Sequence, residues 1–308
     1  MPEPILHHFP MSPYAEKVRV LLGIKQLAWR SVDIPMILPK PDVVALTGGY
    51  RRTPVLQLGA DIICDTALIA ATLDRIAPEP PLWPAGFEAS ATALARHADS
   101  VIFDCASVLF GQPHVFREVF GADPERMAAI RADRSAMRQG TPPRPTPADG
   151  AATLSAFLTQ LDRQLSDVRS WVLGAAPSLA DAALYHPLWF MGSTAALAPL
   201  LAPYAQVHRW MKAVRAIGHG RPTVLSGGEA IEIARSITPA ALEPASCDAA
   251  FPPGVQVTVA PTDYGVEPTA GTLVQLSGDH VVIARDDPRA GRVHVHFPRL
   301  GYRITRAD

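Results

Sequence analysis

Ile5-Leu6-His7-His8-Phe9 is a short, mostly apolar run that stops at Pro10, as a buried strand does. From Ser12 the spacing changes. Tyr14 and Ala15, then Val18, then Leu21 and Leu22 return at helical intervals, with Glu16, Lys17 and Arg19 on the other face. Pro13 suits the first turn of that helix, where a missing N–H costs nothing. Trp29 to Ile34 predicts a second strand, Pro35 to Pro41 a loop, and Asp42 to Leu46 a short helical turn. Pro54–Leu58 and Ile62–Cys64 flank Gly59-Ala60-Asp61 and predict a hairpin. Asp65-Thr66 then caps an apolar helix running to about Ile76.

The order β-α-β-α-β-β-α over residues 1–77 is that of a thioredoxin-like unit. Pro78 to Pro84 continues neither a strand nor a helix and reads as a linker. An all-helical domain is expected over 85–237, with helices near Gly86–Val108, Pro124–Arg138, Ala148–Ser166, Ser178–Met191, Tyr204–Ile217 and Gly228–Ile237. Beyond a Pro/Ala-rich stretch at 239–253 the period becomes two. Val255, Val257 and Val259 alternate with polar residues, as do Val293, Val295 and Phe297. Four or five such strands over 250–308 predict a small all-β accessory domain, an antiparallel barrel or sheet of the SH3-like kind. The change of period makes it separable, so a chain ending near Ala240 is expected to stay soluble.

Composition adds exclusions. With 48% hydrophobic and 19% charged residues and a formal net charge of −1, the chain has an ordinary globular make-up and no basic stripe, so neither nucleic acid nor a membrane surface is expected as a partner. No apolar stretch approaches the roughly 20 residues of a spanning helix. No secretory leader is evident at Met1-Pro2-Glu3-Pro4, and Cys64, Cys105 and Cys247 make neither a disulfide framework nor a metal spacing. A reducing, cytoplasmic location is the expectation.

Three places carry candidate chemistry. At the first strand-to-helix junction, Ser12-Pro13-Tyr14-Ala15 puts a hydroxyl at a helix N-terminus. Ser12 is also an ordinary N-cap residue. Redox units of this fold place two cysteines here, and Ser12 and Ala15 exclude dithiol chemistry. A hydroxyl there can still donate to a ligand's thiolate. At Arg51-Arg52-Thr53-Pro54-Val55, a cis bond before Pro54 would turn the Thr53 backbone outward to pair with an extended peptide, and Arg52 could meet its carboxylate. Without a ligand both arginines belong to a solvated loop. At Cys64-Asp65-Thr66, a helix start offers N–H groups and a hydroxyl to a carboxylate, and Asp65 to an ammonium.

Together these segments resemble the N-terminal domain of glutathione transferases, most of all the serine-type tau, zeta and theta classes. S-P-Y-A-E-K-V-R, R-R-T-P-V-L and C-D-T-A-L-I stand where that family has its serine, its I-P-V strand start and its E-S turn. The resemblance implies that Ser12 activates the glutathione thiol and Thr53-Pro54 pairs with the cysteinyl backbone. It gives Arg52 and Lys40 the glycyl carboxylate, and Asp65 and Thr66 the γ-glutamyl group. Tyr14 joins the glutathione contacts, and Phe103 and Phe110 line an acceptor pocket. Asp and Thr replace the family's Glu and Ser, and Pro39 stands where the tau lysine falls, one residue before Lys40. Ser178-Leu179-Ala180-Asp181 resembles the box opening the buried helix of the family's second domain, where it serves folding.

The implied activity is attack of glutathione thiolate on a small electrophile, by a homodimer, with glutathione as co-substrate and no resident cofactor. An isomerase or lyase would share the same site. The alternative is a non-catalytic glutathione-binding scaffold whose β domain recruits a partner. His294 and His296 share a strand face, but no third ligand accompanies them in the sequence and no metal is expected.

Overall fold

A computed structural model describes residues 2–167 and 169–307. The chain opens with β1 (Ile5–His8), α1 (Pro13–Ile24), β2 (Ala28–Asp33), α2 (Pro41–Thr47), the hairpin β3 (Val55–Leu58) and β4 (Asp61–Cys64), and α3 (Thr66–Ile76), the expected thioredoxin-like order. Alternation along the strands divides the core. Leu6, Leu56 and Ile63 pack with the helical domain, while Ile5, Val55 and Ile62 pack on the opposite face of the sheet.

The helical domain follows. The long helix expected from Gly86 is broken into α4 (Glu88–His97), a π turn at Ala98–Ile102 and α5 (Phe103–Phe110). Next come α6 (Pro113–Phe120), α7 (Pro124–Ala136), α8 (Pro147–Gln164), α9 (Leu179–Gly192) and α10 (Ala205–Ile217). The box at the start of α9 forms as expected. The buried Asp181 carboxylate accepts from Ser178 N at 2.9 Å, Ser178 Oγ at 2.8 Å, Val172 N at 2.9 Å and Trp210 Nε1 at 2.8 Å. Among the described residues no helix is long and apolar enough to cross a membrane.

After α10 the chain returns to the sheet. β5 (Arg221–Val224) lies parallel to β2, an element its exposed side chains gave no sign of. α11 (Gly227–Ser236) covers the sheet opposite α1, and then come β6 (Ala245–Ser246), β7 (Gln256–Pro261), β8 (Thr269–Leu276), β9 (His280–Asp287), β10 (Gly291–Pro298) and β11 (Tyr302–Arg306). These C-terminal strands make the expected all-β region, but they do not stand apart. β10 lies parallel to β4, with Val295 beside Ile62, so one eleven-stranded sheet runs β11-β7-β8-β9-β10-β4-β3-β1-β2-β5, with β6 beside β8. Phe297, Val293 and Ile283 share a core with Ile5, Ile62 and Leu46. The separable module expected from composition is therefore corrected: hydrophobic alternation shows that a segment is strand, not which strand it pairs with. The fit is close at Gly48, the left-handed cap of α2 (φ +80°), where a side chain would strike the Arg285 guanidinium of β9.

Candidate functional site

The sheet register gathers the three candidate segments. His7 lies opposite Val55, and Val55 opposite Cys64. The residues just beyond, Phe9–Ser12, Thr53-Pro54 and Asp65-Thr66, therefore meet at one end of the first unit.

Ser12 is the N-cap of α1 and is buried. Its Oγ accepts from Ala15 N at 3.2 Å. The bond uses an acceptor lone pair, so the hydroxyl proton stays available as a donor at the positive end of the helix. Tyr14 is committed elsewhere. Its hydroxyl donates to Asp99 O at 2.5 Å, and its ring packs on Phe103 and His186. Burial, then the Asp99 charge, pushes the Tyr14 pKa well above its ordinary value and keeps the phenol neutral.

The polar side of α1 is buried: Glu16, Lys17 and Arg19 are each no more than 6% exposed, because the helical domain packs over them. Lys17 Nζ donates to Thr66 Oγ1 at 3.1 Å and to Asp99 Oδ2 at 2.6 Å. Thr66 thus presents a hydroxyl whose oxygen already accepts one bond and whose proton remains to give. Lys17 and Asp99 are site-supporting residues that sequence reading missed. Periodicity predicts plain helix where the π turn carries Asp99, and such turns are frequent at functional sites.

The Thr53–Pro54 bond is cis. Among the described residues the Thr53 backbone N–H and C=O have no hydrogen-bond partner, while its hydroxyl accepts from Lys40 Nζ at 3.1 Å. Lys40 is buried and lies 5.8 Å from the Phe9 ring centroid. Burial, then repulsion from Arg134, lowers its pKa to about 8.

Arg52 and Asp65 come together, 3.8 Å apart, and neither is free. Arg52 Nε donates to Tyr264 O at 2.8 Å, and its Nη2 binds the Asp263 carboxylate and the same carbonyl. Tyr302 Oη donates to Asp65 Oδ2 at 3.0 Å, while Asp65 Oδ1 caps α3 by accepting from Ala67 N at 2.9 Å. Arg51 pairs with Asp133 of α7 at 2.8 Å and with Glu267. The solvated arginine loop is thus corrected: residues 263–267 of the β7–β8 loop and Tyr302 of β11 cover it.

The two pocket aromatics part company. Phe103 packs on Tyr14, whereas Phe110 is buried and stacked on Phe190 inside the helical core. A cleft of about 490 Å³ lies along the other side of α1, lined by His8, Pro10, Glu16, Arg19, Trp189 and His219 among others. Arg19 holds it together by donating to Glu16 Oε2 at 2.9 Å and to Pro10 O at 2.9 Å, with His8 Nδ1 at 3.0 Å. A separate cluster of His and Asp lies at the β4–β10 junction.

Residues 6–81 match the family model described as glutathione S-transferase, N-terminal domain, and residues 127–213 match glutathione S-transferase, C-terminal domain. The chain is similar over its full length to a GST-like protein from Pseudomonas syringae, at 40% identity and TM-score 0.83, with all of both chains covered. A glutathione S-transferase from Rhodospirillum rubrum shares 23% identity at TM-score 0.52, covering 69% of this chain and 88% of its own. Poplar glutathione transferase F1 shares 11% at TM-score 0.51, covering 70% and 97%. These two share the fold and lack counterparts for almost a third of this chain. No curated protein matches the sequence. Both halves of the two-domain architecture are matched and a full-length relative stands at 40% identity, so the chain belongs to the glutathione S-transferase superfamily.

Proposed function

We propose that this protein binds glutathione across Ser12, Thr53-Pro54 and Asp65-Thr66 and activates its thiol for attack on a small electrophile. One observation carries the reading: a donor hydroxyl at a helix N-terminus lies at the same end of the sheet as a main-chain edge with unused hydrogen-bonding groups. An extended peptide takes up that edge as a short added strand. Lys40 and Arg52 face its carboxylate end, and Asp65 its ammonium. A free cysteinyl thiol titrates near about 8.5 and is only a few per cent ionised at pH 7. The Ser12 hydroxyl and the α1 dipole both favour the anion. A homodimer is part of the proposal, on family resemblance, and sedimentation velocity tests it.

The deciding experiment is the pKa of bound glutathione, read from thiolate absorbance, in the natural protein and in Ser12→Ala. The variant is expected to keep its glutathione affinity, to raise the bound thiol toward about 8.5, and to lose neutral-pH turnover of an aryl halide that partly returns as pH rises. An unshifted pH profile would leave Ser12 as a helix cap only. A second reading, a glutathione-binding scaffold without turnover, draws on Asp263 and Tyr302, which already hold Arg52 and Asp65. Turnover of the aryl halide by the natural protein separates the two.

A further inference from the structure

We propose that Asp61, His294 and His296 bind a divalent first-row transition metal ion of the zinc class at the β4–β10 seam, a site independent of the glutathione reading. His294 and His296, two apart on a strand, point to one face, and Asp61 lies directly beside His294 in the parallel ladder. The strand pairing thus supplies the third ligand that is absent from the neighbouring sequence. Asp61 Oδ1 lies 2.8 Å from His296 Nε2 and 3.8 Å from His294 Nδ1, and one donor atom of each residue lies within 4.8 Å of the others. Tetrahedral zinc, with bonds of about 2.0–2.2 Å, spaces its donors by roughly 3.3 Å. The two separations from Asp61 Oδ1 reach that value by shifts of about half an ångström, and the two ring nitrogens, within 4.8 Å of each other, close by up to about 1.5 Å through ring rotation.

The surroundings of the three atoms fit ligation. Asp61 Oδ2 accepts from Ala240 N at 2.8 Å, which leaves Oδ1 for the ion. His296 Nε2 donates to Asp61 Oδ1 in the metal-free chain, and His280 Nε2, 3.1 Å from His296 Nδ1, can take the ring proton on that side once Nε2 binds an ion. His294 Nδ1 is a buried ring nitrogen without a hydrogen-bond partner among the described residues. An Asp–His hydrogen bond alone accounts for His296 and leaves that nitrogen unexplained, whereas a metal satisfies it. Two imidazoles and one carboxylate select zinc-like ions over calcium or magnesium, which take oxygen shells. Three protein ligands leave a fourth position to water. Because the ligands come from β4 and β10, the ion would fasten the C-terminal strands to the first unit.

The test uses the full chain, stripped with chelator and titrated with Zn²⁺ by calorimetry and with Co²⁺ by visible absorption. The expected result is saturation at one ion per chain in the micromolar range or tighter, tetrahedral Co²⁺ bands, and a melting temperature that rises with metal. His294→Gln and His296→Gln are each expected to abolish the one-to-one binding and the melting shift, with far-ultraviolet dichroism confirming the fold. His280→Gln is expected to weaken binding by about 10–100-fold without changing stoichiometry. Failure of the natural protein to saturate at one ion per chain would overturn the proposal, as would binding that survives both ligand substitutions.

Discussion

Around α1, burial decides which polar residues carry charge. Arg19 donates from Nη1 to His8 Nδ1 at 3.0 Å, which fixes Nδ1 as the acceptor and leaves the ring proton on Nε2, 2.9 Å from Ser31 Oγ. A second proton would set a cation against the guanidinium. Burial first, then Arg19, lowers the His8 pKa to about 4 from an ordinary 6.5. As pH falls the unfolded chain takes up that proton before the folded one does. The stability His8 contributes by staying neutral is complete above pH 6.5 and drains away down to about pH 4. His8 is only 6% exposed, and a shift of this size corresponds to on the order of 3 kcal/mol. His8→Gln keeps a polar amide without a titrating ring. Urea unfolding at a series of pH values is expected to show a flatter acid limb in that variant. An unchanged limb would pass the effect to His7 and His186, whose pKa values burial also lowers.

Elements whose signals are local were legible, and elements placed by distant partners were not. Ser12-Pro13, Asp65 and Ser178–Asp181 name their helices because an N-cap needs only its own first turn. Asp181→Ala would strand four buried donors, and a loss of at least about 3 kcal/mol is expected in equilibrium unfolding. A smaller loss would mean that water replaces the carboxylate. By contrast Lys17 finds Asp99 82 residues away, and Tyr50 meets the Tyr302 hydroxyl across 252. No periodicity reports such pairs, because their partners lie on other elements. The strand β10 was readable as strand and unreadable as the neighbour of β4. That pairing reverses the expectation for truncation. A chain ending near Ala240 exposes the β4 edge and strips Val257, Leu273, Ile283, Val293 and Phe297 from the shared core. Aggregation or a non-cooperative melt on size-exclusion and thermal analysis is expected. A monodisperse truncated protein with native glutathione binding would show that the first unit closes without the tail.

At the scale of the whole molecule, the C-terminal region holds two of the charged anchors of the proposed glutathione site, Arg52 and Asp65. Asp263 takes the Arg52 guanidinium that a peptide carboxylate would use, and Tyr302 takes the Asp65 oxygen that an ammonium would use. Any peptide entering must exchange these internal bonds for its own, so their strength sets its affinity. The Asp263 side chain is 66% exposed, which makes its ion pair with Arg52 a weak one, worth about 0–1 kcal/mol after solvent screening. Arg52 keeps the Tyr264 carbonyl when that carboxylate is removed, so its position survives. Asp263→Ala is therefore expected to tighten glutathione binding, by up to about fivefold, rather than weaken it. Asp65→Ala removes a partner instead of a competitor and is expected to weaken binding by about 1–3 kcal/mol. Calorimetry on the two variants under identical salt reads both signs. If Asp263→Ala weakened binding, Asp263 would be a positioning residue for Arg52, and the tail would complete the site rather than compete for it.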